Sequence, residues 1–172
     1  MTSTAERIGA ALAKALKGAL KGSTNDAAPT RPAAVMDGPP IRRANIRNVP
    51  KVSGPEREDG WLDAQLQVLI DKPTADADHT LGWTVLKPGG RHQPHRLRHC
   101  DAFLLVLKGR GHVYSDLGEE PAVEGDVVYA PRGAWHGFHN TSNDDVILIW
   151  GWMGAGSFED SGYEAHSNNR KR

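Results

Sequence analysis

Most side chains able to do chemistry fall in two short stretches. Arg91, His92, His95, Arg96, Arg98, His99, Cys100 and Asp101 crowd into the first, and His136 and His139 form the second. Imidazole changes charge near neutral pH and is a common metal ligand. With or without a carboxylate, it suits iron, manganese, nickel, zinc or copper, and the residues do not choose among them. Cys100 has no arranged base or cation beside it in sequence, so it reads as a loop or packing residue and not as a nucleophile.

The segments that position these residues are short strands. In DAQLQVLI, Ala64, Leu66, Val68 and Ile70 alternate on one face, the pattern of a half-buried strand. LGWTVLK (81–87) stops at Pro88-Gly89-Gly90, a turn signal. FLLVLKG, HVY, PAVE, DVVYA, AWHGFHN and VILIWGW follow, separated by Gly and Pro. Strands at this close spacing indicate an all-β sandwich or barrel.

One stretch carries a longer pattern: Gly125, five residues, Pro131, Gly133, His136 and Asn140. It resembles the second cupin motif, G-x5-P-x-G-x2-H-x3-N, at every fixed position. Gly89, His95 and Gly109 fit the first cupin motif, but Leu97 stands at its second His and Ala102 at its Glu. The resemblance spans about ninety residues. It implies a double-stranded β-helix, a jelly-roll barrel, over 61–160, with His136 and His95 as ligands of one divalent transition metal or of none.

Two residues could replace the missing donors. His95, Leu97 and His99 share a face, but four residues of straight strand span roughly 13 Å, so His99 needs a bend around Arg98 to reach. Asp101 abuts the vacant Glu position and needs a one-residue bulge. His92 is out of phase with His95, and His139 with His136, so His139 is expected to face outward or into a subunit interface. Phe138 shares parity with His136 and should line the interior with Leu97. Arg96 and Arg98 stand at the mouth, either paired with the acidic body or placed to hold a substrate carboxylate.

The remaining chain is read as appendages. Residues 6–21 place Ile8, Leu12, Leu16 and Leu20 on one stripe, an amphipathic helix with Lys14, Lys17 and Lys21 to the side or opposite. Its partner is its own barrel, another protein or a membrane surface. Residues 22–60 form a linker and extended arm in which IRRANIRNV adds an edge strand or wraps the barrel, and 161–172 read as a disordered tail. Formal charge is zero overall, yet residues 61–165 carry eight Lys/Arg against fifteen Asp/Glu, a net of −7, which argues against a nucleic-acid groove. No apolar run approaches the about eighteen residues of a membrane span. The one cysteine permits no intrachain disulfide and needs no oxidising compartment, so the cytoplasm is expected.

Two functions follow from the resemblance. The first is a metal-dependent cupin enzyme, of dioxygenase or lyase class, transforming a small organic molecule, an acidic one among the options, inside the barrel. The second is a non-catalytic cupin that binds a small ligand with a degenerate metal site. A homodimer is expected, with VILIWGW as the apolar strand suited to it.

Overall fold

One strand of 19 residues, β3 (His79–Leu97), runs through most of the architecture. In this computed structural model the described residues are 41–53 and 61–166. The helix expected over 6–21 and most of the linker lie outside them. Before β3 come β1 (Val52–Ser53), β2 (Trp61–Ile70) and the short helix α1 (Lys72–Ala75). After it come β4 (Asp101–Lys108), β5 (Arg110–Ser115), β6 (Gly118–Val123), β7 (Val127–Ala130), β8 (His136–His139) and β9 (Val146–Met153). The chain closes with α2 (Phe158–Ser161) and β10 (Tyr163–Ala165).

All pairings are antiparallel, in the order β6-β5-β8-β3-β9-β4-β7, with β2 and β10 also on β3. The molecule is all-β, a curled sheet of the double-stranded β-helix type. The first half of β3 pairs with β9, Thr84 opposite Leu148 and Leu86 opposite Val146. Its second half pairs with β8, Arg91 opposite His139 and His95 opposite His136. The change of partner falls at Pro88-Gly89-Gly90, where the sequence suggested a chain reversal. Gly89 adopts φ +75°, open to glycine at little cost, and the strand bends there without turning back. A strand that switches sheets at such a bend forms a corner of a two-sheet fold.

Asn140 fastens that corner. Its side-chain amide donates to the carbonyls of Leu86 (3.0 Å), Lys87 (3.0 Å) and Asp144 (2.7 Å), and its Oδ1 accepts from the Ser142 N–H and hydroxyl. Its own backbone exchanges bonds with Gly89 and Gly90. Gly109 joins β4 to β5, Gly125 precedes β7 and donates its N–H to the Val106 carbonyl, and Gly133 follows Pro131 in the turn that enters β8, where its N–H donates to the Leu97 carbonyl.

Two apolar clusters fill the interior. One holds Leu66, Leu86, Val106, Phe138, Val146 and Leu148. The other gathers Leu97, Cys100, Ala102, Ala130, Phe158 and Tyr163. Phe158 and Tyr163 come from the far end of the chain, so the tail expected from Ser161 onward is structured as far as His166. Tyr163–Ala165 pair with Leu97–His95 of β3. Composition alone does not reveal this, since one apolar ring such as Tyr163 suffices to seat a short polar segment, and 167–172 lie outside the described residues. The edge strand also falls elsewhere than expected. Val52 and Ser53 pair with Leu66 and Gln65, while the preceding turn is tied down by Gln67, whose amide donates to Ile46 and Val49 carbonyls at 2.6 Å. Among the described residues, no helix is long and apolar enough to cross a membrane.

Candidate functional site

His95 and His136 lie opposite one another on β3 and β8, and both point inward. Their ring centroids are 4.2 Å apart with the planes tilted by 57°. In each ring Nδ1 is engaged locally: His95 Nδ1–H donates to the Gln93 carbonyl at 3.1 Å and His136 Nδ1–H to the Ala134 carbonyl at 3.0 Å. A carbonyl can only accept, so the tautomer is fixed and Nε2 keeps its lone pair. His95 is 3% exposed.

His92 joins them, against expectation. Between His92 and His95 the ladder shifts register, so three steps along β3 match two along β8. The extra residue restores the phase, and His92 stacks on His95 at 3.9 Å and 18°. Tyr163 closes the group. Its ring lies 4.9 Å from that of His95, and its hydroxyl is 3.4 Å from His92 Nε2, a long hydrogen bond. Neither residue was singled out in sequence as part of a site. Parity argued against His92, and Tyr163 lay in the segment read as tail.

Burial holds the His92 and His95 imidazoles well below their ordinary value, with the neighbouring histidines adding to it, and burial lowers His136 as well. All three are neutral at pH 7. A free imidazole in the unfolded chain protonates near 6.5, so below that pH the unfolded state binds protons that the folded state refuses. Stability from this group is therefore complete above about pH 6.5 and falls as pH drops toward the folded values, by up to roughly 1.4 kcal/mol per pH unit for each ring. The urea midpoint should be flat between pH 7.5 and 8.5 and clearly lower at pH 5.5. The drop should shrink in His92→Gln. Equal midpoints at pH 5.5 and 7.5 would refute the assignment of three neutral imidazoles.

The other expected donors are elsewhere. The chain bends after Leu97 and carries His99 to the surface, where its Nδ1–H donates to the Asp160 carbonyl at 3.1 Å. Asp101 stays in register opposite Met153, with Ala102 facing inward in its place, so no bulge forms. Its carboxylate accepts from the Arg132 backbone N–H at 2.8 Å, and that bond, with the neighbouring Tyr129 hydroxyl and guanidinium, holds its pKa down. Arg96 and Arg98 both bind Glu164, at 2.8 and 2.7 Å, and Arg96 lies over Trp135. They are occupied outside the barrel and do not face the cluster. Leu97 and Phe138 are buried in the core, Phe138 fully so. His139 faces outward and stacks beside Tyr114. Cys100 is buried, and burial pushes its thiol up to about 11, which fits packing and not nucleophilic work.

Residues 82–152 match the family model of the cupin domain. The backbone is similar to a cupin-2 domain protein from Rhodospirillum rubrum (TM-score 0.60, 18% identity, 76% of this chain and 83% of that one). It is also similar to a predicted oxalate decarboxylase from Thermotoga maritima (TM-score 0.57, 18% identity, 64% and 96%). A third likeness is to the polyketide cyclase RemF from Streptomyces resistomycificus (TM-score 0.57, 24% identity, 65% and 78%). At such identities the likeness shows the fold alone. Over 55 residues the chain is 38% identical to an uncharacterized protein of Aquifex aeolicus (strain VF5), a match covering 32% of this chain and 46% of that protein, under half its length. The family model thus matches over the stretch that carries both motif resemblances.

Proposed function

We propose that this cupin domain binds a small organic molecule at the inner face where β3, β8 and β10 meet, with His95 and His136 as the pair that would hold one divalent transition metal. The observation that carries the reading is the close approach of two buried imidazoles, 4.2 Å between centroids, each with its Nδ1 bound to a backbone carbonyl. Two rings bound side by side on one ion stand about 4.5 Å apart, given metal–nitrogen bonds near 2.1 Å, and 4.2 Å is close to that.

Among the described residues a third protein donor does not fit. His92 lies nearly parallel to His95, and lone pairs in two stacked planes cannot meet at one ion. Leu97 and Ala102 carry no donor atoms. Among the described residues no group of three His, Cys, Asp or Glu is arranged to hold a metal. The residues therefore fit a two-imidazole site. When bound there, the metal would polarise a coordinated oxygen, the chemistry that dioxygenase- or lyase-type reactions share. His92 and the Tyr163 hydroxyl are positioned to hold a polar group of the ligand. Arg96 and Arg98 are held by Glu164 away from the cluster, so the acidic character of the ligand would rest on the metal.

Protein prepared without chelator and titrated with manganese, nickel or zinc should approach one ion per chain. His95→Ala and His136→Ala should each weaken binding by tenfold or more, and His92→Ala should spare it. If wild type binds no better than His136→Ala, the metal reading fails and the second reading stands: a metal-free small-ligand binder. The apolar Leu97 and Ala102 at the missing donor positions favour that second reading. The lone buried thiol suits a reducing compartment, and we take the cytoplasm as the place of action.

A further inference from the structure

We propose that the outer face of β3, β8 and β5 carries a binding site for a phosphate group, free or borne by a small molecule, built from Arg91, His139 and His112. Register sets Arg91 opposite His139 and His139 opposite His112, so the three stand in one row across neighbouring strands. Residues directly opposite one another share a face of the sheet. Phe138 and Val113, one step along, pack into the core, so the row points the other way, out from the barrel. The site is separate from the inner imidazoles and stands whether or not those hold a metal.

Arg91 is the residue that asks for a ligand. It is half-buried, and its Nε is covered and has no hydrogen-bond partner. Other guanidinium groups are neutralised, Arg96 and Arg98 by Glu164 and Arg132 by Asp101. Arg91 finds no carboxylate among the described residues, although 61–165 carry a surplus of seven acidic charges. A buried donor without an acceptor is rare in native proteins and costs stability. An oxyanion over the row would supply the counter-charge, met by the two terminal nitrogens because Nε is covered.

The neighbours suit an anion and not a cation. Two imidazoles on adjacent strands could by themselves hold a metal ion, but a guanidinium beside them repels one. Burial first, and Arg91 next, hold the His139 imidazole below its ordinary value, and His112 adds to the effect. Glu119 acts in the opposite sense, but from β6, three strands from Arg91 and roughly 14 Å away at about 4.8 Å per strand. The Tyr114 ring lies nearly parallel to that of His139, and His112 Nδ1 shares a 3.1 Å hydrogen bond with the Thr141 hydroxyl. Both rings are thus oriented, while His112 Nε2 is left for a ligand. A phosphate offers three terminal oxygens, one for each donor group, and up to about two negative charges. A carboxylate offers two oxygens and one charge.

The test is calorimetric titration of the full chain at pH 7, with EDTA present and ionic strength constant, using inorganic phosphate, phenyl phosphate or acetate. Phosphate should bind once per chain with a Kd of about 1 mM or tighter, and acetate about tenfold more weakly. Arg91→Gln should weaken phosphate binding by about tenfold or more, the worth of a charge-assisted bond. Arg91→Lys, which keeps the charge and loses the fork, and His139→Gln should each weaken it by about threefold. Since the guanidinium has no protein partner to lose, Arg91→Gln should match the wild-type urea midpoint in phosphate-free buffer. Phosphate at about ten times Kd should then raise the midpoint of the wild type alone. Phenyl phosphate binding as well as phosphate assigns the site to a phosphorylated small molecule, and its exclusion assigns it to the free ion. Absence of saturable phosphate binding, acetate binding as tightly as phosphate, or affinity unchanged in both Arg91→Gln and His139→Gln each overturns the proposal.

Discussion

Asn140→Ala is expected to lower folding stability by about 3–5 kcal/mol, read as a fall in the urea midpoint. The side chain is fully buried and gathers three carbonyls, from Leu86, Lys87 and Asp144, while accepting twice from Ser142. Alanine leaves those carbonyls facing a small cavity, and each buried acceptor without a partner costs about 1–3 kcal/mol. Partial entry of water keeps the total below the sum. Asn140→Asp should be no gentler, because a carboxylate would turn its oxygens toward carbonyls that need a donor. Asn140→Ser, which retains one donor, should recover part of the loss. A change under 1 kcal/mol for Asn140→Ala would mean that the corner where β3 changes sheets is held by something else. No effect on metal binding is expected beyond that of lost fold, since the residue touches none of the imidazoles.

The sequence announced Asn140 as a fixed position but not what it fixes. Motif spacing marks where the chain is constrained, while the partners of a constrained residue come from strands distant in sequence. His95 and His136 were legible for the same reason, because each stands at a motif position whose spacing survives. His92 was not. A period-two reading assumes an unbroken ladder, and one extra residue between His92 and His95 inverts the parity on one side of it. Pro88-Gly89-Gly90 misled in the opposite way: its local chemistry is that of a turn, and Gly89 does take φ +75°, yet β3 only bends there and runs on to pair with β8 instead of doubling back. The role of Arg96 and Arg98 depended on Glu164, which sat in a segment dismissed by composition. The apolar run of β4 needed no such distant information. In β2 the alternation holds for Ala64, Leu66 and Val68 and is broken by a register shift before Ile70, the same kind of irregularity that hid His92.

That dismissed segment leads to the other large effect. Tyr163→Ala should destabilise the domain by about 3–5 kcal/mol, the usual cost of emptying an aromatic site in a core. The ring is 8% exposed and packs between Phe158 and His95, in the cluster that also seals Leu97, Cys100 and Ala102. Tyr163→Phe separates packing from chemistry. It keeps the ring and removes the hydroxyl beside His92 Nε2, so stability should change by less than about 1 kcal/mol. The imidazole nitrogen signals of His92 should nevertheless move in a nitrogen-15 spectrum, and those of His136, which has its own anchor at Ala134, should stay. If Tyr163→Ala is as stable as wild type, β10 is an ornament on β3 and the barrel end is closed by other groups. If Tyr163→Phe leaves His92 unmoved, the hydroxyl is a bystander. Should both effects appear as expected, the end of the barrel where Leu97 and Ala102 offer no donors is rebuilt by a residue from outside the matched domain, and the polar partner it supplies is a phenol.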